Sequence, residues 1–192
     1  MYDLSGTLEG WESVPPGTSL LIASRDSREN RGRVLDLLAD GLAEGTGAVV
    51  VAMDDSVDEI REQLSTRANF EGHQLAVIDC HSGGDRRQKT LDNGVFVYTV
   101  PSPSDLTAIG IGIVECFRRL SDAGVEDSRV GVLSLSTLLE DSDEAEVFKF
   151  SHVVSSRLDS AGFLGLFTID RTTVDTHSYK VISEAFDDVL EL

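Results

Sequence analysis

The stretch 19–38, SLLIASRDSRENRGRVLDLL, does most to limit what this chain can fold into. Leu20-Leu21-Ile22-Ala23 is a short unbroken apolar run, the pattern of a strand buried on both faces. Residues 24–30 are polar and read as a turn. Val34, Leu35, Leu37 and Leu38 then recur at helical spacing and give the next segment one apolar face. A buried strand, a turn and a helix in that order open the α/β domains that hold phosphate at a helix N-terminus. The sequence predicts a strand over Ser19–Ser24 and a helix running to about Glu44, ended by Gly45 and Gly47.

The same alternation continues downstream. Residues 48–53 and 75–80 are apolar runs, and 95–100, 130–135 and 163–169 read as further strands. Between them lie helical patterns. Ser56 and Glu59 have the spacing of a capping box that opens a helix reaching about Ala68. Ser104 is the expected cap of a helix to about Ala123, in which Gly110 and Gly112 imply close packing against a neighbour. The acids of 140–144 suit the start of a helix over 146–160. Residues 176–186 and 189–192 read as a short helix and a closing strand. The polar stretch 81–93 reads as a mobile loop. Residues 1–17 read as an irregular lead-in, with Trp11 packing over the sheet edge. The pattern predicts a three-layer α/β fold, a mostly parallel central sheet flanked by helices, as a single domain over 1–192.

Charge narrows the partners. Lys and Arg number 16 against 34 Asp and Glu, a formal net charge of −18. Lysine is confined to Lys89, Lys149 and Lys180, and the acids are spread along the chain rather than gathered in a tail. Such a surface repels nucleic-acid phosphate and anionic lipid, so neither is an expected partner. It also repels itself unless salt screens it, which points to a high-salt cytoplasm. Cys80 and Cys116 stand apart from any metal or redox spacing and are expected to be buried free thiols. His73, His81, His152 and His177 are scattered, so no metal and no cofactor is expected. The first residues lack the basic and apolar regions of a signal peptide, and no run approaches the ~20 apolar residues of a membrane span. A cytoplasmic protein is the expectation.

In open α/β sheets ligands sit at the carboxyl ends of the strands. That rule selects segments 24–31, 54–55, 79–87, 134–137 and 170–177. Ser134, Ser136 and Thr137 lack a nucleophile elbow and read as strand-end hydrogen-bonding groups. Arg25, Arg28, Arg31 and Arg33 cluster beside the first turn. They suit an anion at the helix N-terminus, or equally ion pairs with Asp26, Glu29 and Asp36.

Three segments carry a resemblance. Residues 51–60, VAMDDSVDEI, resemble the second strand of the KaiC/RecA-superfamily ATPase core, which ends in two acids before a capped helix. Residues 130–139, VGVLSLSTLL, resemble its Walker B strand, and 185–192, AFDDVLEL, its last helix-to-strand corner. The likeness extends over nearly the whole chain. With the acidic composition it looks closest to a haloarchaeal branch of small KaiC-like proteins. By resemblance, Asp54 and Asp55 stand where that family keeps a water-activating acid pair; read from their residues alone, they are solvated turn acids.

The departures from the family matter most. A working P-loop, GxxxxGK[ST], needs glycines for close backbone approach, a lysine for the β/γ-phosphates and a hydroxyl for magnesium. The matching positions here are Ser24, Glu29, Asn30 and Arg31, and the Walker B aspartate position is Leu133. The resemblance thus implies degenerate Walker motifs and no ATP hydrolysis. It implies a regulatory or signal-transduction interaction module with a protein partner, monomeric or a homodimer because the family's ring contacts are built across ATP. The alternative is a sensor that holds a nucleotide or small anion without hydrolysing it, through Ser24, Arg25, Arg28, Asn30, Arg31, Asp54 and Asp55. An ATPase using non-standard groups is the remaining reading. Phe148 and Phe150 are candidates for an apolar partner surface, though both read as facing the core in part.

Overall fold

A computed structural model describes residues 1–8 and 11–192. The chain runs β1 (Tyr2–Asp3), β2 (Ser13–Val14), β3 (Ser19–Ser24), α1 (Ser27–Ala43), β4 (Gly47–Ala52) and α2 (Val57–Ser65). It continues with β5 (Leu75–Asp79), β6 (Arg87–Thr90), β7 (Phe96–Thr99), α3 (Leu106–Asp122), β8 (Ser128–Leu133) and α4 (Leu135–Asp141). It ends with α5 (Glu144–Ala161), β9 (Leu164–Asp170), α6 (Thr176–Ser183) and β10 (Asp188–Glu191).

Strands β3 to β10 form one sheet in the order β10-β3-β9-β8-β4-β5-β7-β6, parallel throughout except for β6. Side chains alternate between its faces. On β3, Leu20 and Ile22 meet the layer of α1 and α2, while Leu21 and Ala23 meet the layer of α3 to α6. This two-sided burial is why the inner strands read as unbroken apolar runs. The fold is the expected three-layer α/β sandwich.

Helix α1 carries the chain from β3 across β9 and β8 to β4. It approaches the sheet closely at Gly131, where a methyl group would lie 2.9 Å from Leu38 and 3.0 Å from Val34. Arg129, on β8, is the largest fully buried side chain. Its guanidinium donates to the Leu37 carbonyl at 2.6 Å and to Glu44 at 2.9 Å, serving the C-terminal part of a helix whose last turn has no basic residue of its own.

Several local expectations change. The lead-in is not irregular: β1 pairs antiparallel with β2, and Tyr2, Leu4, Leu8 and Val14 are buried in the α1-side core, with Trp11 packed against it. The stretch 81–93 contains β6, an edge strand exposed at every position. Strand β8 stops at Leu133, and Ser134 caps the short helix α4 rather than ending a strand. Asp105, not Ser104, caps α3, accepting from the Ala108 N–H at 2.9 Å. The capping box of Ser56 and Glu59 is present, and its two hydrogen bonds from Ser56 hold the Glu59 carboxyl below its usual range. Of the two helix glycines, Gly112 packs against Tyr98, whereas Gly110 faces open space. Cys80 and Cys116 are buried and unbonded, and burial pushes the Cys80 thiol up to about 12. Among the described residues no helix is long and apolar enough to cross a membrane.

Candidate functional site

The carboxyl ends of β3, β9, β8 and β4 lie side by side, and α1 leaves the sheet there. Between these ends, α4 and the first turns of α1 lies a cleft of about 210 Å³. Its place is the one that open α/β sheets use for ligands.

The turn from β3 into α1 is short. Only Arg25 and Asp26 separate the last residue of β3, Ser24, from the first of α1, Ser27. Ser24 is buried and spends its hydroxyl inside the turn, donating to the Asp26 carbonyl at 2.7 Å and accepting from the Asp26 N–H at 2.9 Å. Asp26 is the N-cap: its carboxylate accepts from the N–H groups of Arg28 at 2.9 Å and Glu29 at 3.4 Å. These are backbone donors of the kind that a phosphate-binding helix turns toward its anion.

The walls of the cleft are tied to one another. Asn30 is buried and donates from Nδ2 to the Ile169 carbonyl at 2.9 Å, joining α1 to β9. Arg31 forms an ion pair with Asp55 beyond β4. Thr137 on α4 donates its hydroxyl to Asp54 at 3.1 Å. Ser136 accepts from the Asp170 N–H at 2.8 Å, joining α4 to the end of β9. Leu133 closes β8 as a buried apolar residue and lines the same cleft. Arg28 lines it too, and makes no ion pair among the described residues. Against Arg28 and Arg31 stand Asp54, Asp55, Glu140 and Asp170, so acids outnumber bases in the cleft.

Of the seven candidate residues, the cleft thus brings together Arg28, Asn30, Arg31, Asp54 and Asp55. Ser24 is consumed by the turn. Arg25 lies apart, in a shallow depression shared with Arg171 and Glu191 beside β10. Arg33 is elsewhere again, donating to the Thr7 carbonyl at 3.0 Å. The four arginines therefore do not form one anion cradle, and the expected pairing of Asp36 also differs, since Arg67 holds it at 2.7 Å. Among the described residues no group of three or more His, Cys, Asp or Glu is placed to hold a metal ion.

Residues 17–192 match a family model described as a family of unknown function, DUF7504. The chain belongs to that family. This DUF7504 member matches no curated protein. Among solved structures it is similar to a KaiC-like protein from the hyperthermophilic archaeon Pyrococcus horikoshii OT3, with a TM-score of 0.65 and 12% identity. That match covers 97% of this chain and 79% of the other. At this identity the likeness is one of fold, and it places the DUF7504 chain in the KaiC/RecA-like architecture.

Asp26, read in the sequence only as an ion-pair partner, is the N-cap at this site. Its signal is nonetheless present: an Asp three residues before Glu29, directly ahead of an apolar-periodic segment, has the spacing of a helix start. Ser136, Thr137 and Asp170 fall in segments selected by the strand-end rule, but their partners are distant in sequence and only the fold reveals them.

Proposed function

We propose that this chain is a KaiC/RecA-like domain without catalytic activity, working as a regulatory or signal-transduction interaction module in the cytoplasm of a salt-adapted cell. The observation that carries this reading is the Asp26 carboxylate on the first N–H groups of α1. A nucleotide's phosphate held at this helix N-terminus would meet a fixed negative charge and would have to displace it. Other features support the same reading. The helix begins at Ser27, so no wide loop remains to wrap a phosphate. Leu133 offers no oxygen to magnesium where the Walker B strand ends, and Asp55 neutralises Arg31.

Calorimetry with Mg·ATP and ADP in molar KCl, with a phosphate-release assay, tests it. No binding heat and no release above a blank are expected. Phosphate release lost in D54A/D55A would make the protein an enzyme. One observation favours a second reading, a non-hydrolysing sensor of a nucleotide or small anion: Arg28 lines the cleft without an acidic partner among the described residues. Micromolar nucleotide affinity that disappears in R28A/R31A, without turnover, would establish it.

A further inference from the structure

Five large apolar side chains are exposed among the described residues, and three of them lie on two neighbouring helices. Ile111 is 47%, Val114 44% and Val153 41% exposed, all on α3 and α5; the other two are Met1 and Leu192. Phe150 is buried at 7% and Phe148 packs partly against the core, as their core-facing reading expects. Between α3 and α5 runs a groove of about 350 Å³, lined by Gly110, Ile111, Phe150 and Val153. A methyl group on Gly110 would meet no heavy atom within 4 Å, so the groove is open above that residue. Ile111 and Val153 flank this groove, so exposed apolar surface from two helices is gathered in one place.

The groove's rim says what fits it. Glu146 and Arg157 line it from α5, about three helical turns apart and so on one stripe of the helix. Neither makes an ion pair among the described residues. The point midway between them is at Ser151 and His152. A two-fold axis there, with α5 antiparallel to its copy, sets Glu146 opposite the partner's Arg157 and Arg157 opposite the partner's Glu146. The same operation lays Val153 against the partner's Phe150. Lys149, also on the rim, is exposed and long enough to keep its ammonium in solvent. An isologous contact needs a surface that complements itself, and the charge order along α5 does so.

We infer that the α3/α5 face is the contact of a homodimer, occupied by a second copy of this chain. The inference gives the interaction-module reading a partner, and rests on it only in supposing that the chain works through a protein contact. It uses a surface separate from the cleft. Nucleotide titration tests that reading, and oligomeric state tests this one. Two chains of net charge −18 repel at long range, so the contact strengthens as salt rises and screening shortens.

The test is sedimentation equilibrium of the full chain in molar KCl, with thermal melts of every variant. The parent is expected at twice the chain mass, moving toward monomer in dilute salt. V153D is expected to be monomeric and to melt as the parent does when diluted to monomer. R157E weakens the dimer, by up to about tenfold at the lowest salt where the parent still associates, and E146K/R157E restores it by exchanging the pair. Glu146 also accepts the Asp143 N–H in the α5 capping box, so the melts separate a lost cap from a lost contact. A parent that stays monomeric at high protein concentration overturns the inference. So does a dimer that V153D leaves intact, or a charge exchange that fails to restore association.

Discussion

Replacing Asp26 by alanine should destabilise the protein and uncover an anion site in one step. The Asp26 carboxylate accepts two backbone N–H groups, from Arg28 at 2.9 Å and Glu29 at 3.4 Å. Loss of an N-cap acceptor costs about 1 kcal/mol, and up to about 2. The charge–dipole part of the cap is about 0.3–1 kcal/mol at low salt and is screened in molar KCl, so the hydrogen bonds dominate there. For a domain of this length, about 1 kcal/mol lowers the melting temperature by about 2–4 °C. D26N keeps an acceptor and should recover most of that loss. With the carboxylate gone, two helix N–H groups lose their acceptor beside the depression that Arg25 and Arg171 line, an arrangement that attracts phosphate. Melts with and without inorganic phosphate at constant ionic strength read both effects. D26A should gain melting temperature from phosphate while the parent does not. Equal responses of parent and D26A to phosphate, or a D26A variant as stable as the parent, would refute the claim that Asp26 stands in for the anion.

Further expectations follow from the core and its ionisable groups. Arg129→Ala removes hydrogen bonds to Leu37 and Glu44 and leaves a hole beneath α1, at a cost of about 3 kcal/mol in guanidinium denaturation. Burial first, then the hydrogen bond to Asp127, raises the Tyr2 phenol above its ordinary value; its stabilisation is complete below about pH 10 and is lost as pH climbs beyond that. Alkaline melts should show this loss in the parent and less of it in Y2F. The Cys80 thiol, pushed up to about 12 by burial, and the fully buried Cys116 should resist alkylation at neutral pH until the chain unfolds. The two glycines of α3 should respond with opposite signs. G110A adds a methyl to open space and gains helix propensity, up to about 1 kcal/mol, whereas G112A drives a methyl to 2.8 Å from the Tyr98 ring and costs about 1–3 kcal/mol.

Those glycines illustrate where sequence reading stops. Both stand in the same helical pattern, and only the position of Tyr98 separates them. Strands β3, β4, β5 and β9 are legible because burial on both faces leaves no polar interruption. Strand β6, RQKT, is hidden for the converse reason: all four residues are exposed, so no apolar period marks it. Leu135 extends the apolar run of β8 past its true end and masks the turn into α4. Arg129 would be assigned to the surface by its charge, yet it is almost wholly buried because α1 and Glu44 supply its acceptors. The site follows the same division. Strand ends locate it, since the topology fixes where ligands can sit. Its pairings, such as Arg31 with Asp55 and Thr137 with Asp54, join segments that nothing in the linear order connects.

Those pairings also bear on where this surface can engage another molecule. In the cleft, Asp55 takes Arg31, Thr137 holds Asp54, and Asn30 is tied to β9, while beside it Asp26 takes the α1 N–H groups. Apart from Arg28, a ligand that uses these groups must break their internal bonds first, and a group buried without its partner costs about 1–3 kcal/mol. On α5 the balance is reversed. Glu146 and Arg157 make no ion pair among the described residues, and Ile111 and Val153 already lie in water. A contact there breaks no ion pair and removes apolar area from solvent, at about 25 cal/mol per Å². By that comparison, an approaching protein gains more from the helix face than a small ligand gains from the crevice.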